Sequence, residues 1–261
     1  MNLNQAVDIL REYSEAAHAY EHAMGVLSLD GDTAAPSASY KGRGQTMAYL
    51  SGVSYQLLVN DRIRDCLETL LASGDRVSPA VRRQAELLKE DYDRLTRIPL
   101  AEYTAYQALL TDAGAVWHEA KQKSDYPMFA PYLARLIDTE RRFAAYRDDT
   151  MPAYDVLLDT YEKGASTATL DPFFATLRRE LTPVILAVKD CPAPRTEFLH
   201  GDFPIQQQRV FSDRLMSMMG IDRARCSIAE TEHPFTTNFN KWDVRITTHY
   251  QQDDVASSMY S

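Results

Sequence analysis

Apolar residues recur at spacings of three, four and seven through most of this chain, and that period admits few folds other than an array of amphipathic helices. Leu3, Val7, Leu10, Ala17, Met24 and Leu27 form the first stripe, on a long helix that runs to about Leu29 and is ended by Asp30-Gly31-Asp32. The Gly-, Ser- and Ala-rich segment that contains Pro36 reads as a loop to Gly44, followed by a helix from about Gln45 to Leu58. Asn60-Asp61 is placed to cap the next helix, through Leu71, and Ser73-Gly74-Asp75 closes it. Ser78-Pro79 marks another start, because a serine oxygen accepts from a free first-turn N–H and proline lacks a donor where none is needed. Val81, Ala85, Leu88, Tyr92 and Leu95 are its expected buried stripe.

The same period continues. A helix from Leu100 to about Lys123 carries Tyr106, Leu110, Ala113 and Trp117 on one face, and Ser124-Asp125-Tyr126-Pro127 breaks it. Helices follow over roughly Phe129 to Arg147 and Tyr154 to Tyr161, with Gly164 as a C-cap. Phe173, Leu177, Leu181, Val184 and Val188 make the next stripe, with Pro183 placed to bend it. Phe203-Pro204 opens one more helix, to Met219, which Gly220 ends. The connections are short and no internal repeat or linker stands out, so the expected fold is mainly α: an array of long amphipathic helices over residues 1–261 with a small β element near the C-terminus. Asp253-Asp254 begin a further helix, Val255 to Ser261, too short to bury a face alone and expected to continue.

The β element is the stretch from Arg225 to Ala229 and, above all, Asp243-Val244-Arg245-Ile246-Thr247-Thr248-His249-Tyr250. Strict alternation puts Asp243, Arg245, Thr247 and His249 on one face of an extended chain and Val244, Ile246, Thr248 and Tyr250 on the other. A carboxylate, a guanidinium, a hydroxyl and an imidazole side by side read either as one wall of a polar cleft or as an edge strand with a wet face.

Charge and cysteine usage exclude several partners. Lys plus Arg number 28 against 37 Asp plus Glu, a formal charge of −9, which argues against nucleic acid or an anionic membrane surface. Cys66, Cys191 and Cys226 are odd in number, dispersed and without a C-x-x-C pair, so neither a disulfide framework nor a thiolate zinc site is indicated and a reducing cytoplasm fits. The first residues lack a basic segment followed by an apolar run, and no uncharged apolar stretch is long enough to span a bilayer.

Short motifs carry unequal weight. His18-Ala19-Tyr20-Glu21-His22 matches H-x-x-E-H, in which two histidines one turn apart chelate zinc and the glutamate activates water. At about 100° per residue, however, His18 and His22 share a stripe with Arg11 and Glu15, away from Leu10 and Ala17, and no third ligand announces itself. An ordinary helix surface therefore outweighs an independent zinc hydrolase using His18, Glu21 and His22. Asp30-Gly31-Asp32 fails as a calcium loop because its twelfth position is Lys41, and Lys41-Gly42-Arg43-Gly44 lacks the spacing of a phosphate loop. No G-x-S-x-G elbow is present, and His118 and His200 have no metal-ligand spacing.

His233-Pro234-Phe235 followed by Asp243-x-Arg245-x-Thr247 closely resembles two motifs of the carboxypeptidase Taq family of zinc metallocarboxypeptidases. Phe129-Ala130-Pro131-Tyr132-Leu133, Tyr154-Asp155-Val156-Leu157-Leu158-Asp159 and the residues from Asp254 also look like family segments in family order. Leu29-Asp30 and Ala35-Pro36 depart from the Trp-Asp and Met-Pro that relatives tend to have. In the family the Asp-x-Arg-x-Thr strand leads into an H-E-x-x-H helix that supplies zinc ligands and general base. The resemblance therefore implies that residues 1–261 are the N-terminal half of a saddle-like metallopeptidase, ending just before that helix. It implies zinc or another divalent metal in the full-length parent and none in this chain, no catalytic or metal residues here, peptide substrates, and a homodimeric parent. The chain alone is then expected to be inactive; the alternative is a non-catalytic helical module that binds peptide or protein.

The residue chemistry bears on individual roles. A carboxypeptidase must recognise a free C-terminal carboxylate, which the planar fork of arginine does best, so Arg245 is the first substrate-binding candidate. Equally, Arg245 can pair internally with Asp243 to shape the strand. His233 can donate to a tetrahedral intermediate or line the groove, Phe235 with Pro234 fixes the turn, and Thr247 orients a neighbour.

Overall fold

The computed structural model describes residues 1–258 and divides into two compact units. The first comprises Met1–Leu27 and Pro36–Arg178, the second Ser28–Ala35 and Arg179–Ser261, described to Ser258.

Seven helices account for most of the first unit: α1 (Leu3–Thr33), α2 (Tyr40–Leu58), α3 (Asp61–Leu71), α4 (Pro79–Leu95), α5 (Leu100–Lys123), α6 (Tyr126–Arg147) and α7 (Ala153–Tyr161). Its core joins Ala6, Ile9 and Leu10 of α1 to Leu58 of α2, Ile63, Cys66, Leu67 and Leu70 of α3, and Ala85 of α4. Full burial of leucines such as Leu67 and Leu70 contributes about 1.5–3 kcal/mol each relative to exposure. The expected α4 stripe holds, since Val81, Leu88, Tyr92 and Leu95 pack around that core beside Ala85.

Local start and stop signals act where the sequence places them. The Asn60 side chain accepts from Ile63 N–H at 3.0 Å, and Ser78 Oγ accepts from Val81 N–H at 3.3 Å with Pro79 opening α4. Asp125 caps α6 by accepting from Met128 N–H, so that helix begins at Tyr126 rather than Phe129. Two boundaries differ more. The first helix passes through Asp30-Gly31-Asp32 to Thr33, and α2 begins at Tyr40, within the segment read as a loop. A single glycine costs a helix only about 1 kcal/mol, which neighbouring turns readily offset.

The α5 face also differs from expectation: Leu109, Ala113 and Ala120 are buried, and Leu110 is exposed. This helix packs on both α2 and α6. A Cβ added at Gly52 of α2 would lie 3.1 Å from Thr104 Cγ2 of α5, a tight approach that the threonine side chain would have to yield to by a few tenths of an ångström. Asp155 of α7 is buried and accepts from Thr167 N–H at 2.8 Å and from Thr167 Oγ1 at 3.2 Å. It thereby caps α8 (Thr167–Lys189).

None of the residues of α8 is buried. Of the stripe expected to face a core, Phe173, Leu181, Val184 and Val188 are exposed and Leu177 is half-buried. Periodicity establishes that a helix has an apolar face; it does not supply the surface that covers it.

In the second unit, α9 (Ile205–Met218) is followed by β1 (Cys226–Glu230), β2 (Thr236–Asn240), β3 (Asp243–Thr248) and the short α10 (Val255–Ser258). The sheet order is β1-β3-β2, with β1 parallel and β2 antiparallel to β3 and a bulge between Asn238 and Asn240. The helix expected over Val255–Ser261 is seen to Ser258; its remainder lies outside the described residues.

Candidate functional site

β3 is the central strand, not an edge. Ser227 of β1 and Thr237 of β2 flank Arg245, so its backbone is held by pairing on both sides. The regular strand ends at Thr248; His249 lies beyond it, with Nδ1 3.1 Å from Thr231 O.

The segment ahead of β2 is fastened to β3 at several points. Thr231 N–H donates to Thr248 O, and Thr247 N–H donates to Phe235 O at 2.8 Å. Thr247 Oγ1 accepts from Phe235 N–H at 2.8 Å and lies 3.1 Å from Phe235 O, to which it donates. Thr247 is wholly buried, and a buried polar group with both capacities used in this way sets geometry. Phe235 is thus fixed beside β3, and His233, two residues earlier, is exposed with Nδ1 3.2 Å from Pro234 O.

Arg245 and Asp243 form a two-point ion pair. Arg245 Nη2 donates to Asp243 Oδ2 at 2.9 Å and Nε donates to Asp243 Oδ1. The guanidinium retains 35% and the carboxylate 24% of side-chain exposure, so the pair is partly desolvated. Hydrogen bonding to Asp243 raises the Arg245 pKa further above its ordinary range, and the guanidinium stays charged. Nη1 makes no hydrogen bond among the described residues, and the guanidinium carbon lies 6.0 Å from the centre of the Phe239 ring.

Arg245 lines a recess of about 430 Å³ together with Arg223, Arg225, Cys226, Trp242 and Asp243. Arg225 stacks 4.0 Å over Trp242 and pairs with Asp222 at 3.2 Å; Arg223 lies 3.3 Å from Asp213. Each guanidinium has a carboxylate neighbour, so the recess offers donors without a large uncompensated charge. Arg223, Arg225 and Trp242 were not distinguishable as site residues in the sequence. Arg223 and Arg225 reach Arg245 because β1 runs parallel to β3, a pairing that no local pattern encodes, whereas Trp242 sits on the β2–β3 connection next to Asp243.

His18 and Glu21 of α1 are exposed, and the His18 and His22 rings meet edge-on at 6.3 Å. Among the described residues no group of three or more His, Cys, Asp and Glu side chains is arranged to hold a metal ion. Two imidazoles supply only two of the four donors that a zinc site requires, so His18 and His22 do not by themselves fit such a metal. No helix among the described residues is long and apolar enough to cross a membrane.

Known proteins resemble both sequence and fold. The family model described as carboxypeptidase Taq (M32) metallopeptidase matches residues 9–261. Carboxypeptidase 1 of Bacillus subtilis is 32% identical over 254 residues, which is 97% of this chain and 50% of that protein. Thermostable carboxypeptidase 1 of Thermus thermophilus is 30% identical over 249 residues, 90% of this chain and 49% of that protein. The BsuCP crystal structure superposes with a TM-score of 0.91 at 32% identity, covering 98% of this chain and 51% of its own. The chain thus spans about half the length of the curated relatives it matches.

Proposed function

The chain belongs to the carboxypeptidase Taq (M32) metallopeptidase family, and from that premise we propose that it forms the N-terminal half of a metallocarboxypeptidase that removes C-terminal residues from peptides. The observation that carries this reading is the placement of the Asp243-x-Arg245-x-Thr247 strand at the centre of the sheet, with His233-Pro234-Phe235 fastened against it through Thr247. A rigid strand whose arginine lines a recess suits recognition of a peptide carboxylate.

In this reading, Arg245 contributes the Nη1 group of its fork, Asp243 orients that fork, Phe235 and Thr247 set the turn, and His233 lines the substrate groove. Zinc or another divalent metal, its ligands and the general base belong to the other half of the parent protein, and the chain by itself does not hydrolyse peptides. The parent acts as a homodimer. Cys66, Cys191 and Cys226 are all free thiols, which supports a cytoplasmic location.

The test is binding of an N-acylated dipeptide with either a free or an amidated C-terminus to the isolated chain, with hydrolysis followed in the presence of zinc. Preference for the free carboxylate that disappears in Arg245→Ala, without turnover, is the expected result. Equal binding of acid and amide would remove Arg245 from substrate recognition. Turnover lost in a His18→Ala/His22→Ala double variant would establish the independent zinc hydrolase instead.

A further inference from the structure

Helix α1 carries half of a metal site. His18 and His22 lie one turn apart on it, and their rings meet edge-on with centroids 6.3 Å apart. Two imidazoles that share a zinc ion at about 2.0–2.1 Å from each nitrogen have centroids about 5 Å apart, so a modest change of side-chain torsions brings this pair into position. Each ring binds metal through one nitrogen and keeps the other for a hydrogen bond, so a partner held by the second nitrogen does not bar ligation. Glu15, exposed and one turn before His18, adds negative charge to the same stripe; Arg11, further along it, is paired with Asp8 at 2.8 Å.

The pair supplies two of the four donors that zinc takes, and among the described residues no further His, Cys, Asp or Glu of the same chain joins it. We propose that a second copy of this chain supplies the other two: one zinc ion bridges two α1 helices about a twofold axis and is held by His18 and His22 of each. Twofold symmetry makes the surface self-complementary, because a helix face that offers two donors then places four around the axis. His18 is exposed, and the exposed neighbours Ala19 and Ala23 are small, so no bulky side chain there holds a second helix away. Charge makes the cation the necessary tie. Each chain carries −9 and two copies repel one another, whereas a divalent ion beside Glu15 of both helices offsets part of that repulsion. Zinc is favoured over copper(II) by geometry, since it accepts a tetrahedral set of nitrogens and copper(II) prefers a tetragonal one. The proposal is independent of the reading of this chain as an N-terminal half.

The experiment is sedimentation equilibrium of the tag-free chain, titrated with zinc sulfate and then with EDTA. The expected result is a twofold rise in weight-average mass that is complete at one zinc per two chains, is reversed by EDTA and is absent from His18→Gln/His22→Gln. Cys191 is the exposed thiol and the rival zinc donor, so Cys191→Ser is expected to dimerise with zinc as the wild type does. Far-UV circular dichroism verifies the fold of each variant. Should the double variant fold poorly, His18→Gln alone, at an exposed position, replaces it. X-ray absorption at the zinc edge of the wild type reads the donors without any variant, and four imidazole nitrogens at about 2.0–2.1 Å are expected. A mass that zinc does not change overturns the proposal, as does one zinc bound per chain without association. Zinc-driven association that survives loss of the histidines, association lost in Cys191→Ser, or a sulfur donor at about 2.3 Å also overturns it.

Discussion

Asp243 holds Arg245 by two hydrogen bonds along one face of the central strand, so the guanidinium most suited to bind a substrate carboxylate is already engaged by a carboxylate of its own. Nε and Nη2 are engaged internally, while Nη1 makes no hydrogen bond among the described residues. Asp243→Asn is expected to lower stability by about 1–2 kcal/mol, because the pair is partly desolvated and one charge loses its partner. The same variant should bind free-carboxylate peptides more tightly, since the competing carboxylate is gone. Calorimetric titration alongside urea denaturation separates the two effects; weaker binding in Asp243→Asn would mean that orientation by Asp243 outweighs competition.

Thr247 and Phe235 form the second fastening. Thr247→Val keeps the shape but leaves the Phe235 N–H without its side-chain acceptor, and β3 without the clamp on the turn that carries His233. A loss of about 1–3 kcal/mol is expected from an unsatisfied buried donor. A urea midpoint indistinguishable from wild type would show that Phe235 finds another acceptor.

Asp155 caps α8 from a neighbouring helix. Removing the carboxylate in Asp155→Ala takes away the acceptor of the Thr167 N–H and of its hydroxyl, at a cost of about 2 kcal/mol. Asp155→Asn retains one acceptor and should lose less. Amide hydrogen exchange at the first turn of α8 is the direct measurement: accelerated exchange there in Asp155→Ala is expected, and an unchanged rate would rule out the cap.

Burial, reinforced by the charges of Asp91 and Glu21, pushes the Tyr13 phenol from 10.0 up to about 12. The native chain then holds this proton more tightly than the unfolded chain does. The resulting stability is complete below pH 10 and is lost as pH rises from 10 toward about 12. Over that window the urea midpoint of wild type should fall more steeply than that of Tyr13→Phe. Parallel slopes would place the alkaline sensitivity elsewhere.

Much of the fold and part of the site were legible in the chain itself. Asn60 and Ser78 mark helix starts because a side-chain oxygen competes for first-turn N–H groups within three residues of itself. The strand Asp243–Thr248 was legible because alternation has a period that no helix shares. Arg223 and Arg225 were not, because they join Arg245 across a parallel strand pairing set by packing rather than by any nearby residue.

By itself the sequence determined the helical class, most element boundaries, the polar face of β3 and the family resemblance, all of which depend on interactions spanning a few residues or on the order of motifs. Only the tertiary structure decided that β3 lies at the centre of its sheet, that Asp243 occupies half of the Arg245 fork, that Leu109, Ala113 and Ala120 are the buried line of α5, and that the α8 stripe stands uncovered. The physical reason is that a hydrophobic period reports the surface a segment offers, whereas burial and pairing depend on which other surface arrives to meet it.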